Sequence, residues 1–334
     1  MRPKSIYSQY APAFNMPSTK LLAASLLAVS APALAANVVD DSQCECFVTD
    51  GNYPTYYKQH GFWDFRSLSN KARVPPVIKD VNGNLNADFT SDYFNWDSEF
   101  AQFWGAQNWS NEKPGFPMVN SYNNLYIENN ADGNSDTHMT MRSSRLPKFQ
   151  TAAEFESTKT VDHASLRMYA KTAGSSGVCT SIFTYRGAEH LKDVQEADIE
   201  MLSRESSQFI HYTNQPSYLE DGSTVDGASA NVTLPNGMRW TDWTTHRLDW
   251  TPGRTTYLAN GVQTHTQTFQ APRDPSTILL NTWSDGGEWT GTMPQGGEAY
   301  QRVQWIEMLY DVAPKCNKVC SIDKSPVRGK AVLL

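Results

Sequence analysis

Residues 195–202 read Gln-Glu-Ala-Asp-Ile-Glu-Met-Leu, and they restrict the fold more than any other stretch. Glu196, Asp198 and Glu200 alternate with Ala197, Ile199 and Met201. A two-residue period fits a β-strand with one polar face and one buried face. Alternation of this kind is common in half-buried strands. Three like charges within five residues, with no Lys or Arg between them, are less common. Their mutual repulsion costs stability, and such a cost is tolerated where a site uses it.

The same β-prone rhythm recurs along the chain. Short runs at Trp63–Arg66, Asn124–Glu128, His138–Arg142, Ala164–Lys171, Gly177–Tyr185 and Phe209–Thr213 are separated by Gly, Asn, Pro and Asp. Further runs follow at Thr245–Trp250, Thr256–Ala259, Val262–Thr268, Thr277–Thr282 and Val303–Tyr310. Asn260-Gly261 between two of them is a two-residue hairpin signal. Neither sustained helical periodicity nor an internal repeat is present. Many strands without a βαβ rhythm predict an all-β antiparallel sandwich or barrel. No low-complexity linker divides residues 47–315, so 37–334 reads as one domain, with the loop-rich region 70–120 wrapping its edges.

Lys20, the apolar run Leu21–Val29 and Ala-Pro-Ala-Leu-Ala-Ala at 31–36 have the order of a secretory signal peptide, so 1–36 is expected to be removed. Met16 offers an alternative start. The apolar run is short for a membrane span. Loss of Arg2, Lys4 and Lys20 takes the formal charge from −7 to −10. An acidic surface argues against nucleic acid or anionic membrane as partner, and a secreted monomer is expected.

Cys44, Cys46, Cys316 and Cys320 sit at the two ends of the chain, with Cys179 alone between them. In an oxidising compartment the terminal four should form disulfides. Cys44 and Cys46, at i and i+2, are poorly placed to bond each other. Bridges between the two ends are therefore expected, with the connectivity open. Cys179 reads as a buried free thiol in a strand. Asn108-Trp-Ser and Asn231-Val-Thr are N-glycosylation triplets.

Two glutamates on one strand face, with an aspartate between them, are the equipment for breaking a glycosidic bond by double displacement. Glu196-Ala-Asp-Ile-Glu200 resembles the E-x-D-x-E signature of glycoside hydrolase family 16, in its lichenase-like and transglycosylase-like branches. Collinear blocks extend the resemblance across about residues 160–312: Gly177–Tyr185, Gln208–Asn214, His246–Gly253 with the Asn260-Gly261 hairpin, Leu280–Gly291, and Val303-Gln-Trp-Ile-Glu-Met. The resemblance implies a concanavalin A-like β-jelly-roll with a concave cleft. It implies Glu196 as nucleophile, Asp198 as its assistant and Glu200 as general acid/base. It also implies Tyr212, Asn281, Trp283 and Trp289 as substrate-binding residues, with β-glucan as the partner. His211 reads as structural, Trp305 as core, and Arg167 lies near a position that contacts the cleft.

The chain departs from the lichenase pattern at three places. Val194 stands where lichenases carry Trp, Ile210 replaces a cleft Asn, and Gln304 replaces an aspartate of the structural calcium site. No cofactor or metal is expected otherwise. The leading expectation is a secreted retaining endo-β-glucanase acting on β-1,3 or mixed β-1,3/1,4 linkages. A glucan transglycosylase and a non-catalytic glucan-binding lectin are the alternatives.

Overall fold

Alternation along most of the strand-forming runs gives an apolar face, and two sheets bury those faces against each other. The computed structural model describes residues 37–111 and 117–334. The smaller sheet runs in the order Ser229–Thr233, Phe209–Gln215, Gln195–Leu202, Cys179–Arg186, Thr277–Trp283, Gln150–Ser157 and Trp104–Ala106. The larger sheet is centred on the long strand Glu298–Val312, flanked by Tyr56–Asp64 on one side and Ala164–Gly174 on the other. Thr244–Thr251, Arg254–Ala259 and Val262–Gln267 continue it. Pairing is antiparallel except where Val319–Ser321 meets Cys46–Val48 and Met118–Asn120 meets Gln150–Ser157.

The core lies between the sheets. Ala197, Ile199, Met201, Ile182, Ile278 and Leu280 of the smaller sheet belong to one buried cluster with Met168, Leu248, Trp250, Ile306 and Met308 of the larger. Each fully buried side chain of this size stabilises the fold by about 1.5–3 kcal/mol. The jelly-roll sandwich is thus as expected. Asn260 and Gly261 both take positive φ, 46° and 78°, between Arg254–Ala259 and Val262–Gln267. That is the backbone a two-residue hairpin demands. Within 70–120, Phe94, Phe100, Phe103 and Trp104 join the same core.

The disulfides are Cys44–Cys320 and Cys46–Cys316, spanning 276 and 270 residues. Closing a loop of that length stabilises by about 5 kcal/mol on the chain-entropy argument. The second bridge closes nearly the same loop and adds much less. The expected signal peptide, 1–36, lies outside the described residues, and no described helix is long and apolar enough to cross a membrane.

The C-terminal segment covers the outer face of the larger sheet. Even-numbered Leu166, Met168 and Ala170 point into the core, so Arg167 points outward. There it is buried against Asp323, with Nη1 to Oδ1 at 2.8 Å. This places Arg167 away from the cleft suggested by its sequence neighbourhood. Arg247 beside it binds Asp249 through Nε and Nη2, both at 2.8 Å, and Asp50 through Nη1 at 2.6 Å.

Candidate functional site

Hydrogen-bond register fixes which side chains share a face. Glu196 lies opposite Tyr185 and Gln215, Asp198 opposite Phe183 and Thr213, and Glu200 opposite Ser181 and His211. Residues directly opposite in an antiparallel pair point the same way. Ala197, Ile199 and Met201 fill the core, so the three acids stand on the concave side. A groove of about 550 Å³ opens there, lined by Glu196 and Glu200 with Tyr185, Val194, Thr213, Gln215, Trp283 and Trp289 among its walls. Val194, at the position of the lichenase tryptophan, gives a small apolar wall.

Asp198 is the most enclosed of the three, 2% exposed at the groove floor. It hydrogen-bonds Glu196 and accepts from Gln215 Nε2 at 3.3 Å. Burial, followed by the charges of Glu196 and Glu200, pushes its carboxyl well above the ordinary range. Burial likewise raises Glu196 to about 7, against a hydrogen bond from Asp198 that lowers it. The two carboxyls therefore titrate as a hydrogen-bonded pair, with burial holding protons on the pair above the ordinary carboxylate range. Burial also raises Glu200, opposed by hydrogen bonds from Trp289 and Cys179. No Lys or Arg lowers these acids; the one cationic side chain that acts on them is His211, beside Glu200.

Asn281 and Trp283 stand on the same concave face, opposite Ser181 and Cys179. Trp283 lines the groove. Asn281 is 9% exposed and locked in a polar row: its Oδ1 accepts from Ser181 Oγ and its Nδ2 donates to Glu154 Oε2 at 3.2 Å. Trp289 reaches over the groove and donates its indole N–H to Glu200 Oε1 at 3.0 Å.

Tyr212 is not a groove residue. It lies opposite Ile199 and so points into the core, where its ring stacks on Tyr257 with centroids 4.2 Å apart. Its hydroxyl is bonded to Thr264 Oγ1 at 2.9 Å. The same parity turns His211, read as structural, to the concave side. There its Nε2 lies 2.8 Å from Glu205 Oε2 and its ring meets the edge of Trp289. Thr213 and Gln215 take the places expected for Tyr212.

Glu154 escaped sequence reasoning. It sits on Gln150–Ser157, two strands beyond Cys179–Arg186, and burial raises it to about 7. Its partners are Asn281 and the Trp109 indole, and its charge in turn raises Glu196. The alternation of Glu154, Phe155 and Glu156 was the available signal. Asn108 Nδ2 donates to the Leu85 carbonyl at 2.7 Å, whereas Asn231 is exposed on the edge strand beside His211.

The lichenase-type calcium site lacks its strand carboxylate. Gln304 offers an amide, and that amide donates to Asn134 Oδ1 at 2.7 Å. No group of three His, Cys, Asp or Glu suited to a metal occurs among the described residues.

This arrangement accords with what the chain resembles. A Beta-glucanase of Paenibacillus macerans is 28% identical over 199 residues, covering 58% of this chain and 79% of the relative. The solved structure of Bacillus licheniformis beta-glucanase superposes with TM-score 0.51 at 21% identity, over 65% of this chain and 95% of the other. The catalytic domain of an endo-1,3-beta-glucanase (laminarinase) from Thermotoga petrophila RKU-1 also gives 0.51, at 14% identity, over 69% and 96%. These two structures speak to the fold alone. The family model for glycosyl hydrolases family 16 matches residues 116–307, more than half of the chain, and with the collinear blocks and the concave acid strand this establishes that the chain belongs to that family.

Proposed function

We propose that the protein is a secreted endo-β-glucanase that cuts β-1,3 or mixed β-1,3/1,4 linkages with retention of configuration, acting through the single domain 37–334. One observation carries the reading: Glu196 and Glu200 line one groove from one strand face, with Asp198 between them and hydrogen-bonded to Glu196. Retaining glycosidases hold two carboxyls about 5–5.5 Å apart. Four residues of strand advance about 13 Å, so the glutamate side chains must lean toward each other across Asp198. The Paenibacillus macerans and Bacillus subtilis relatives are beta-glucanases, which supports β-glucan as the substrate class.

Each acid has a role that its environment supports. Glu196, charged, attacks the anomeric carbon while Glu200 gives its proton to the departing glycosidic oxygen. Asp198 hydrogen-bonds Glu196 and loses its anionic partner as the glycosyl-enzyme forms. Esterification removes the charge of Glu196, so Glu200 releases its proton more readily and serves as base toward incoming water. The trio titrates as a set.

The test is a product profile. The protein is incubated with laminarin, lichenan and xyloglucan, while reducing ends, product size and the anomer first formed are followed. New reducing ends of β configuration are expected on laminarin or lichenan. Longer oligosaccharides without new ends would establish the transglycosylase instead, and binding without turnover the lectin.

A further inference from the structure

Cys179 is the one cysteine outside the two disulfides. It is fully buried beneath the groove, beyond the reach of modifying reagents, and so whatever it does it does through its neighbours. Its Sγ donates to Glu200 Oε1 across 3.3 Å, and the Trp283 indole is hydrogen-bonded to the same sulfur. A second donor, Trp289 Nε1, reaches the same oxygen at 3.0 Å. Trp289 is held in turn by Arg204, whose Nε donates to its carbonyl at 2.7 Å.

A thiol is a weak donor and, once ionised, would repel a carboxylate. Burial and the nearby charge of Glu200 keep the proton on this sulfur, so it remains a donor. A carboxyl oxygen that already accepts two hydrogen bonds is the less basic of the pair. Resting on the acid/base reading of Glu200, we propose that Cys179 is a positioning residue: its thiol and the Trp289 indole fix Oε1 as an acceptor, so that Oε2 carries the transferable proton. In the first half-reaction the Oε2–H bond breaks and the proton passes to the glycosidic oxygen, which leaves with the electron pair of its bond to the anomeric carbon. In the second, Oε2 takes a proton from water as the water oxygen bonds that carbon and the ester bond to Glu196 breaks.

The role separates from mere packing when the leaving group is varied. A polysaccharide needs the acid, whereas a dinitrophenyl β-glycoside of a glucan oligosaccharide has a leaving group that departs unaided. Cys179→Val fills similar space without a donor, and Cys179→Ser keeps one. The Val variant should lose about ten-fold in kcat/KM on lichenan and less than about two-fold on the aryl glycoside. Its alkaline limb should move to higher pH, because a donor that favoured the Glu200 anion is gone. The Ser variant should stay within about three-fold of the parent on lichenan, with its limb in place.

The unmodified thiol gives a second readout: its S–H stretching band should rise in frequency in Glu200→Gln. Equal losses on both substrates, an unmoved limb, Ser behaving as Val, or an S–H band indifferent to Glu200 would each overturn the proposal. Glu200→Gln on the same two substrates separates the possible failures. If it discriminates between leaving groups and Cys179→Val does not, positioning alone falls. If it too fails to discriminate, the acid/base reading falls and takes the proposal with it.

Discussion

Two clusters of buried acids sit on opposite sides of this sandwich, and their electrostatics run in opposite directions. On the outer face of the larger sheet, Arg167 and Arg247 lower Asp323 against burial, while His60, Arg167 and Arg328 lower Glu307. On the concave face no Lys or Arg lowers Glu196, Asp198, Glu200 or Glu154; the only cation acting there is His211, on Glu200, and burial raises every one. Both clusters are comparably enclosed, so enclosure alone does not mark a site. What differs is whether the sequence supplies arginine as a counter-charge. The outer cluster ties the C-terminal segment to the sheet, and the concave cluster keeps protons available at neutral pH.

The sharpest way to break this contrast is to neutralise one acid on the concave side. Glu196→Gln and Glu200→Gln should each lower turnover on lichenan or laminarin by a factor of at least about 10³, roughly 4 kcal/mol of barrier. Near-parental turnover in either variant would remove the distinction between the two faces.

On the outer face the expected damage is to stability. Arg247→Met leaves Asp249, Asp323 and Asp50 without their shared partner. It should cost about 3 kcal/mol in a urea melt, while turnover per folded molecule is unchanged. An unaltered melt would mean that the outer cluster is not the structural lock its geometry describes.

The two faces should also respond oppositely to pH. Glu196 and Glu154, raised from 4.5 to about 7, favour the native state fully below pH 4.5, and that contribution is lost as pH rises through about 7. Asp323 and Glu307, depressed below 3.8 and 4.5, contribute above those values, and their share is lost as pH falls through the lower folded-state values. Removing the charge in Glu196→Gln should therefore raise stability at neutral pH by about 2 kcal/mol and flatten the stability profile between pH 4.5 and 7. A variant less stable than the parent at pH 7 would contradict this sign.

The smallest effect concerns parity. Tyr212→Phe loses a hydroxyl bond in the core and should cost about 1 kcal/mol of stability with kcat and KM unchanged. A large rise in KM would return Tyr212 to the groove.

How far the sequence could be read follows from the range of each interaction. The period of residues 195–202 and the Asn260-Gly261 turn are local, and both appear as expected. The orientation of Tyr212 and His211 depends on pairing with the neighbouring strand, where a shift of one residue exchanges the two faces. Gln150–Ser157 has few β-branched residues. Its Glu154 gains meaning only from Asn281 and Trp109, 127 and 45 positions away. The Cys179 contact likewise required knowing which strand lies beside Glu200. Disulfides between the chain ends followed from spacing, whereas the pairing of Cys44 with Cys320 needed coordinates.

The most direct test of the double-displacement account is to trap its intermediate. The protein is incubated with a dinitrophenyl 2-deoxy-2-fluoro-β-glycoside of a glucan oligosaccharide, digested, and the labelled peptide sequenced by mass spectrometry. The expected result is one glycosyl group esterified to Glu196, formed with release of one equivalent of dinitrophenolate. A label on Glu200 or elsewhere, or turnover of the natural glucan to products of inverted configuration, would contradict it.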